Sequence, residues 1–294
     1  MVPGELLTKA QAQFDAVAAR YQTSPGKVHI ADLTPPQQAQ LRKEMFDVIT
    51  QLQLPCFFDA IHVAGFHTFF RRYKRLIERA QRQRRSRIKL SLRGPEPDSL
   101  HVAMFFGLYS KFLAFCLERE KQELHVEVRT DQVDAPIFKE FKASANKLLD
   151  FGATIKQVTG YDPDTKQVVK GTVEAKEIPS EHRLPITIHQ LNFNRTNQLD
   201  GLVLAADVLA NSLAYLYRTR PPTERYRRLN RPEAVKAHPL AQSLDAFNDW
   251  GAFDVSDLLY AHPCSPDLIE QLPMHRRWLR HLFCWVRLLR IPAA

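Results

Sequence analysis

Three aspartates lie in settings where a carboxylate could do chemistry. Asp207 is the only charged residue in the apolar stretch 202–217, whose composition predicts a buried helix. Asp131 follows a predicted strand at 124–130, and Asp59 lies inside another. Burying a carboxylate is costly unless it is paired, protonated or bound to a cation. Two interpretations of Asp207 therefore stay open: an acid at the helix edge that reaches solvent or an arginine, and a ligand within a group of acids.

Strand ends and the helix beside them converge at one edge of an α/β sheet, so these acids could meet there. Clustered carboxylates repel one another unless a hard cation such as Mg²⁺ or Mn²⁺ neutralises them. Two such ions about 3.5–4 Å apart can clamp both the attacking and the leaving oxygen of a phosphodiester. We therefore predict Asp131 and Asp207 as catalytic residues and metal ligands, with Asp59 and Asp134 as further candidate ligands.

The positive charge of the chain is concentrated in one segment, 71–93, which holds nine arginines and two lysines against Glu78 alone. The local charge of +10 exceeds the +9 of the whole chain, so the other residues together carry −1. Such a patch indicates a polyanionic partner, and arginine binds phosphate through paired hydrogen bonds. The predicted nucleic-acid-binding residues are Arg71, Arg72, Lys74, Arg75, Arg79, Arg82, Arg84, Arg85 and Arg87.

Helices that alternate with single strands predict an α/β fold with a helix-covered sheet. The helix over 35–53 has the clearest start, because Thr34, two prolines and Gln37 form a capping-box sequence. A polar two-stranded ribbon is expected within 153–179. The predicted strands are 27–31, 55–65, 87–92, 124–130 and 184–191. The other predicted helices are 4–22, 66–85, 98–121, 136–150 and 199–218.

Composition excludes several classes of protein. Four widely spaced cysteines without a CxxC pair argue against a disulfide framework or a structural zinc site and favour a cytoplasmic protein. We find neither a signal peptide nor a run long enough for a membrane span. Residues 221–294 are interpreted as a proline-rich linker and a helical C-terminal extension. The cationic, amphipathic helix at 274–290 is expected to pack its apolar face on the parent domain. Binding to a membrane surface or nucleic acid, binding to a protein partner and self-association are the alternatives.

Three segments follow one another along the chain in an order that can be compared with known families. They are K-V-H-I-A-D-L-T-P-P-Q at 27–37, L-H-V-E-V-R-T-D at 124–131 and G-L-V-L-A-A-D-V-L-A at 201–210. This order resembles an RNase H-like family of bacteria, domain of unknown function 3800. The resemblance covers roughly residues 20–218 and implies an RNase H-like fold with metal-dependent activity on nucleic acid. It matches Asp207 to the acid of the family's Ala-Asp helix and Asp131 to its strand-end acid, with Asp134 as a rival.

The family's first strand, which carries a leading acid, has no counterpart upstream of residue 27. Either the sequence starts after this strand, or the protein is a shortened member that has lost the first metal ligand. We interpret 1–220 as an N-terminally shortened RNase H-like domain, with a mixed sheet, a basic insertion at 71–93 and the inserted ribbon. Losing one ligand weakens a metal pair and favours binding over catalysis. The leading hypothesis is an RNase H-like protein that contacts nucleic acid. Two others stay open: a Mg²⁺-dependent nuclease, and a non-catalytic interaction subunit whose basic helix binds an acidic protein.

Overall fold

The computed structural model describes residues 1–22, 26, 28–83, 89–90, 100–131, 133–149, 154–162, 164–175, 185–196, 198–248, 250 and 254–267. Its α-helices are α1 (Leu7–Ala19), α2 (Pro35–Gln51), α3 (Val63–Gln83), α4 (Leu100–Glu118), α5 (Ala135–Leu149), α6 (Gly201–Arg218), α7 (Pro232–Val235), α8 (Ala241–Leu244) and α9 (Asp254–Leu259). Its strands are β1 (Lys89–Leu90), β2 (Glu123–Thr130), β3 (Thr154–Asp162), β4 (Gln167–Ala175) and β5 (Thr187–Arg195). The protein is therefore mixed α/β, as predicted.

Two helices that matter for the site begin with specific caps. At α2, the backbone N–H of Thr34 donates to Gln37 Oε1 at 2.9 Å, and prolines occupy the first helical positions. At α6, Asp200 Oδ1 accepts hydrogen bonds from the backbone of Leu202 at 2.9 Å and of Val203 at 3.3 Å. These side chains satisfy amide groups that the helix itself leaves without partners. The predicted helices over 35–53 and 199–218 are confirmed.

The largest apolar core joins α1, α2 and α6. Phe14 of α1 is 1 % exposed, Met45 of α2 is fully buried and Leu213 of α6 is 6 % exposed, and all belong to one cluster. This cluster also contains Leu244 and Trp250, from the part of the chain beyond α6. The apolar stretch around Asp207 is thus buried on one side, as its composition predicts.

In the part of the chain that the structure describes, the strands form two sheets, and a small parallel pair stands in place of the expected mixed sheet. β2 and β5 form a parallel pair in which Val128 lies opposite Phe193. β3 and β4 form an antiparallel ribbon with β1 at its edge, so the ribbon predicted within 153–179 is confirmed. Of the predicted strand at 87–92, only 89–90 lie among the described residues, and both are in β1.

One face of the β2–β5 pair is covered by helices. Partly buried apolar side chains of the pair, such as Val126 and Phe193, pack against Tyr109 and Leu113 of α4 and Ala145 of α5. β5 continues to residue 195, beyond the predicted end at 191, because the alternation of inward apolar residues extends through Phe193. Parallel pairing places the carboxyl ends of both strands at the same edge.

The strand predicted at 55–65 is wrong. Residues 54–62 have no regular secondary structure, and α3 begins at residue 63. Side chains satisfy this backbone in place of a neighbouring strand: Lys111 Nζ donates to Phe58 O at 2.7 Å, and the Asn230 amide exchanges two hydrogen bonds with Ala60 at 2.8 and 2.9 Å. Buried backbone groups need partners, and these side chains make sheet pairing unnecessary here.

The short strand predicted at 27–31 is also wrong within its described residues, 28–31. A 3₁₀ turn at Ile30–Asp32 occupies this place. The backbone N–H of Asp32 donates to His29 O at 3.0 Å, and that of Leu33 donates to Ile30 O at 3.2 Å. This i to i+3 pattern curls the segment toward α2.

Much of the segment that was predicted to be a linker belongs to the fold. Arg228, Leu229 and Asn230 are buried, at 8, 6 and 5 % exposure. Phe247 and Trp250 contact Phe57 and Phe58, with ring centroids 5.5 and 5.8 Å apart. The chain from 228 to 250 is therefore part of the main core. The predicted C-terminal helix at 274–290 lies outside the described residues.

Among the described helices, α4 alone has the length and apolar composition that a membrane span requires. Its middle carries Lys111, whose side chain is 1 % exposed and ion-paired. Its residues Tyr109 and Leu113 pack toward the β2–β5 pair, and Phe115 and Cys116 pack into the main core. These contacts fit a helix shared between two parts of a folded core.

Candidate functional site

A small pocket lies where β2 ends and α6 begins, and it contains the two acids that the sequence ranked first. Asp131 follows β2, and Asp207 lies two turns into α6. The connection from β5 to α6 supplies Thr196 and Asp200 to the same wall. The full lining is Val28, His29, Asp131, Thr196, Gln198, Leu199, Asp200, Val203, Leu204 and Asp207. Asp131 and Asp207 thus line the same pocket, while their roles as catalytic residues and metal ligands stay predictions.

The electrostatics of the pocket show that these acids affect each other. Burial raises the pKa of the Asp207 carboxyl above its usual value, and the negative charge of Asp131 raises it further. His29 acts in the opposite direction and lowers this pKa. Asp207 therefore carries its charge at a cost, in a place where a cation would be favoured.

The third acid of the pocket, Asp200, serves the fold. One carboxylate oxygen caps α6, and the other accepts from Arg129 Nη1 at 3.4 Å. Arg129 also donates to Gln11 Oε1 of α1 at 2.5 Å. Asp200 therefore ties the end of β2 and the start of α6 to α1, and its negative charge is partly neutralised by Arg129.

Few side chains in the pocket could coordinate a metal ion. Within the described part of the chain, no group of three or more His, Cys, Asp or Glu side chains is placed to hold a metal. Asp131 and Asp207 both line the pocket, and a single Mg²⁺ is commonly held by one or two carboxylates and keeps several waters. The pair does not match a two-metal site, which requires more ligands.

Asp59, predicted as a further ligand, is placed in a different environment. Its Oδ1 accepts from Lys111 Nζ at 2.8 Å, and the two side chains are 9 and 1 % exposed. Burial raises the pKa of the Asp59 carboxyl, and the Lys111 ammonium opposes that rise. Asn230 accepts from the same Nζ at 2.9 Å. Asp59 does not line the pocket and belongs to this buried ion pair instead.

Asp134, the rival strand-end acid, does not line the pocket either. It is exposed and precedes α5, where its backbone carbonyl accepts the first helical hydrogen bond, from Phe138 N–H at 3.0 Å. A negative charge at a helix N-terminus is stabilising. The position therefore has a structural explanation that requires no metal.

The second candidate site is the basic face of α3. Its inner side is apolar: Phe66 is fully buried, Phe70 is 9 % exposed, and both rings contact Tyr260. The outer side carries exposed cations, and within the described residues none of these forms an ion pair. We call them the basic face of α3, and they are Arg71, Arg72, Lys74, Arg75 and Arg79.

The rest of the predicted basic patch is not described to the same extent. The α3 backbone extends through Arg82, whose side chain lies outside the described part. Arg84, Arg85 and Arg87 lie outside the described residues. Their contribution to nucleic-acid binding stays a prediction.

Two residues that the sequence analysis did not single out prove informative. His29 lines the pocket beside the two acids, and it stands inside the 27–37 segment that carries the family resemblance. Lys111 is the only charged residue in the apolar stretch 102–117, and such a lone charge signals a buried partner. Reading Lys111 and Asp59 together would have predicted their ion pair.

Comparisons with known proteins do not assign the chain to a family: no protein-family model, no curated protein and no solved structure matches it.

Proposed function

We propose that this protein binds nucleic acid through the basic face of α3. The observation that supports this proposal is the exposure of five cations along one helix, with Glu78 as the only acid of that helix. Phe66 and Phe70 of α3 face the core, whereas the cations further along the helix are exposed. Closely spaced guanidinium groups suit phosphates, and phosphate contacts supply most of the affinity of nonspecific nucleic-acid binding.

We further propose that the α/β body is an RNase H-like domain. The parallel β2–β5 pair, the acid after β2 and the acid-bearing helix α6 at the same edge support this proposal. Their order along the chain is the one that the resemblance implies. The irregular segment 54–62 departs from the expected central strand, so the proposal depends on the β2–β5–α6 unit.

Salt dependence of binding tests the nucleic-acid proposal. We expect the wild-type protein to bind a fluorescent duplex with an affinity that falls steeply as salt rises. Replacing Arg71, Arg72, Arg75 and Arg79 by Gln should flatten the log–log slope by about three to four, because each neutralised phosphate contributes about −0.9 on duplex. Fluorescence anisotropy at several salt concentrations measures this slope.

The matched control removes the same charge elsewhere. Lys121, Lys139, Lys166 and Lys170 are exposed and lie on other elements. Changing these four to Gln lowers the net charge equally and should leave the slope close to the wild-type value. Equal flattening by both variants would show a general charge effect and would overturn the assignment to α3. A wild-type protein without affinity for nucleic acid would instead favour an acidic protein as the partner of α3.

A second candidate function is Mg²⁺-dependent cleavage of a phosphodiester. The specific observation in its favour is that Asp131 and Asp207 share one pocket and that Asp131 raises the pKa of Asp207. These two carboxylates would hold the ion, and His29 is the neighbouring group available for proton transfer. Bound Mg²⁺ would stabilise negative charge on the phosphate.

Metal binding can be measured without any assumption about activity. Titration calorimetry with Mn²⁺ should show binding to the wild-type protein and a loss of at least ten-fold in affinity, roughly 1.4 kcal/mol, for Asp207→Asn. Asp134→Asn is the control, because Asp134 lies outside the pocket. Equal Mn²⁺ affinity of all three proteins would remove the second candidate.

A cytoplasmic location and a role of 274–290 in self-association stay predictions.

A further inference from the structure

A stacked set of rings lies beside the first turn of α3. Tyr226 lies against His262, with ring centroids 4.1 Å apart and an interplanar angle of 18°. His62, the residue before α3, makes an edge contact with His262, with ring centroids 5.6 Å apart and an interplanar angle of 72°. Tyr226 is 36 % exposed although His262 covers one of its faces. Part of the tyrosine side chain thus stays open to solvent despite this contact.

The ring set is held rigidly. His262 Nδ1 accepts from the backbone N–H of Cys264 at 3.1 Å, and His62 Nε2 lies 3.2 Å from Arg227 O. The loop that carries Tyr226 contains turn hydrogen bonds from Glu224 to Pro221 and from Arg227 to Glu224, at 2.9 and 3.1 Å. Buried residues from 228 to 230 anchor its far end. Little conformational freedom remains for the Tyr226 backbone to lose when a ligand binds.

The ring set lies near the N-terminal end of α3, the helix that carries the basic face. A Cβ atom at Gly65, in the first turn of α3, would lie 2.1 Å from Tyr260 O and 2.5 Å from Ala261 O. Only glycine permits this close approach, which joins α3 to the segment that carries His262. At 1.5 Å per residue, Arg71 and Arg79 lie about 13 and 25 Å along the helix from His62.

The loop itself adds positive charge. From 218 to 231 the chain carries six arginines against Glu224 alone. Arg225 and Arg227, on either side of Tyr226, are both exposed. Arg227 lies 3.8 Å from the Glu224 carboxylate, but both side chains are more than half exposed, so solvent weakens this pair. An aromatic face between exposed arginines suits a base and its flanking phosphates.

We propose that Tyr226 is a stacking platform for an unpaired nucleobase, so that the preferred partner of the basic face is single-stranded nucleic acid. This inference rests on the proposed function and specifies its substrate. A base inside a duplex is stacked on both sides by its neighbours, whereas an unpaired base can offer a face to a tyrosine ring. A strand at about 3.4 Å per nucleotide would need roughly four to eight nucleotides to run from Tyr226 along α3.

The test compares single-stranded and duplex probes. A fluorescein-labelled oligonucleotide of about twelve nucleotides is used alone and annealed to its complement, in DNA and RNA versions. Tyr226→Leu should weaken binding to the single strand by roughly five- to a hundred-fold and change duplex binding by less than about two-fold. Tyr226→Phe keeps the ring and should bind the single strand like the wild type.

Tyr161→Leu is the control for loss of an exposed tyrosine, because Tyr161 is 45 % exposed on the antiparallel ribbon. This variant should bind both probes like the wild type. If Tyr226→Leu weakens binding to neither probe, or weakens binding to both probes equally, the proposal that Tyr226 is a stacking platform is wrong while the nucleic-acid proposal stands. If the wild type binds neither probe, the proposed function fails and the platform fails with it. Thermal melts confirm that each variant is folded.

Discussion

At the scale of single residues, Asp207 combines a cost in stability with the metal-binding role proposed for it. Its helix buries one side in the main core, while the Asp207 carboxyl faces a pocket that already contains the charge of Asp131. Neither desolvation nor a like charge favours ionisation. A position of this kind is expected where a protein gives up stability for a functional site.

Replacing Asp207 by Asn should therefore stabilise the protein near neutral pH. The pKa of the Asp207 carboxyl in the folded protein is raised above its usual value of 3.8, so the folded state binds this proton more tightly than the unfolded chain does. As the pH rises above 3.8, the wild type loses stability that the amide variant retains. Thermal melts should show the variant above the wild type at about pH 7, and the difference should close at about pH 3.5.

Asp134→Asn is the control for the removal of one negative charge. Asp134 lies outside the pocket and next to the N-terminus of α5, where a negative charge is favourable. This variant should melt at or slightly below the wild-type temperature at neutral pH. An Asp207→Asn protein that melts below the wild type at neutral pH would show that the carboxylate has a stabilising partner.

At the scale of elements, the pocket depends on how closely α6 approaches α1. Gly201 begins α6, and its backbone N–H donates to Asp15 Oδ1 at 2.8 Å. A Cβ at this position would lie 2.3 Å from Phe14 C and 2.5 Å from Asp15 N. These are backbone atoms, which cannot rotate away as a side chain could. The glycine therefore permits the contact that positions the start of α6 beside the end of β2.

Gly201→Ala should destabilise the protein by about 1–3 kcal/mol or more, because the helices must separate to admit one methyl group. Urea unfolding measures this loss. Gly4→Ala is the control: a Cβ there meets nothing within 4 Å, and the change should be neutral or stabilising by up to about 1 kcal/mol. Equal stability of the Gly201→Ala variant and the wild type would show that α1 and α6 can move apart freely.

Elements with a strong local signal could be predicted from the sequence. The capping box at Thr34, the alternation in 124–130 and the apolar stretch that forms α6 each specify an element by local rules. The segment 54–62 could not be assigned in this way. Its apolar composition matches a central strand, but its backbone is satisfied by Lys111 and Asn230, which lie 53 and 170 residues away along the chain. Contacts between residues so far apart along the chain leave no periodic pattern in the local sequence from which they could be predicted.

The residues of the candidate site also divide into those that a local sequence pattern places and those that depend on contacts distant along the chain. Asp131 and Asp207 were brought together correctly because a strand end and a buried helix have predictable places in an α/β fold. Asp59 was grouped with them because the irregular segment was taken for a strand of the same sheet. The stacked rings at Tyr226 were not anticipated, since His62 and His262 are separated by 200 residues and neither has a local pattern.

At the scale of the whole molecule, the predicted division at residue 220 does not coincide with a boundary in the core. Val235, Leu240 and Leu244 are 1, 3 and 0 % exposed in the cluster that also contains α1, α2 and α6. His238 is part of the same contact: its Nδ1 accepts from Leu240 N–H at 3.0 Å, so its Nε2 is free to donate to Ser212 Oγ at 2.8 Å. The chain beyond 220 thus completes the core of the first part.

A fragment consisting of residues 1–220 should therefore fail to unfold cooperatively. It would lose the rings that cover Phe57 and Phe58, and the Lys111–Asp59 pair would lose Asn230. Heat-induced unfolding followed by circular dichroism, with binding of a hydrophobic dye, measures both effects.

A substitution in the full-length protein tests the packing of the shared core without removing any part of the chain. Leu244→Ala should cost about 2–5 kcal/mol because Leu244 is fully buried in the shared core. Leu76→Ala removes the same atoms from a side chain that is 37 % exposed on α3 and should cost less than about 1 kcal/mol. If fragment 1–220 melts cooperatively near the full-length temperature and both alanine variants cost equally little, the chain beyond 220 is a separate extension after all. If only Leu244→Ala is costly and the fragment exposes apolar surface, the two parts share one core.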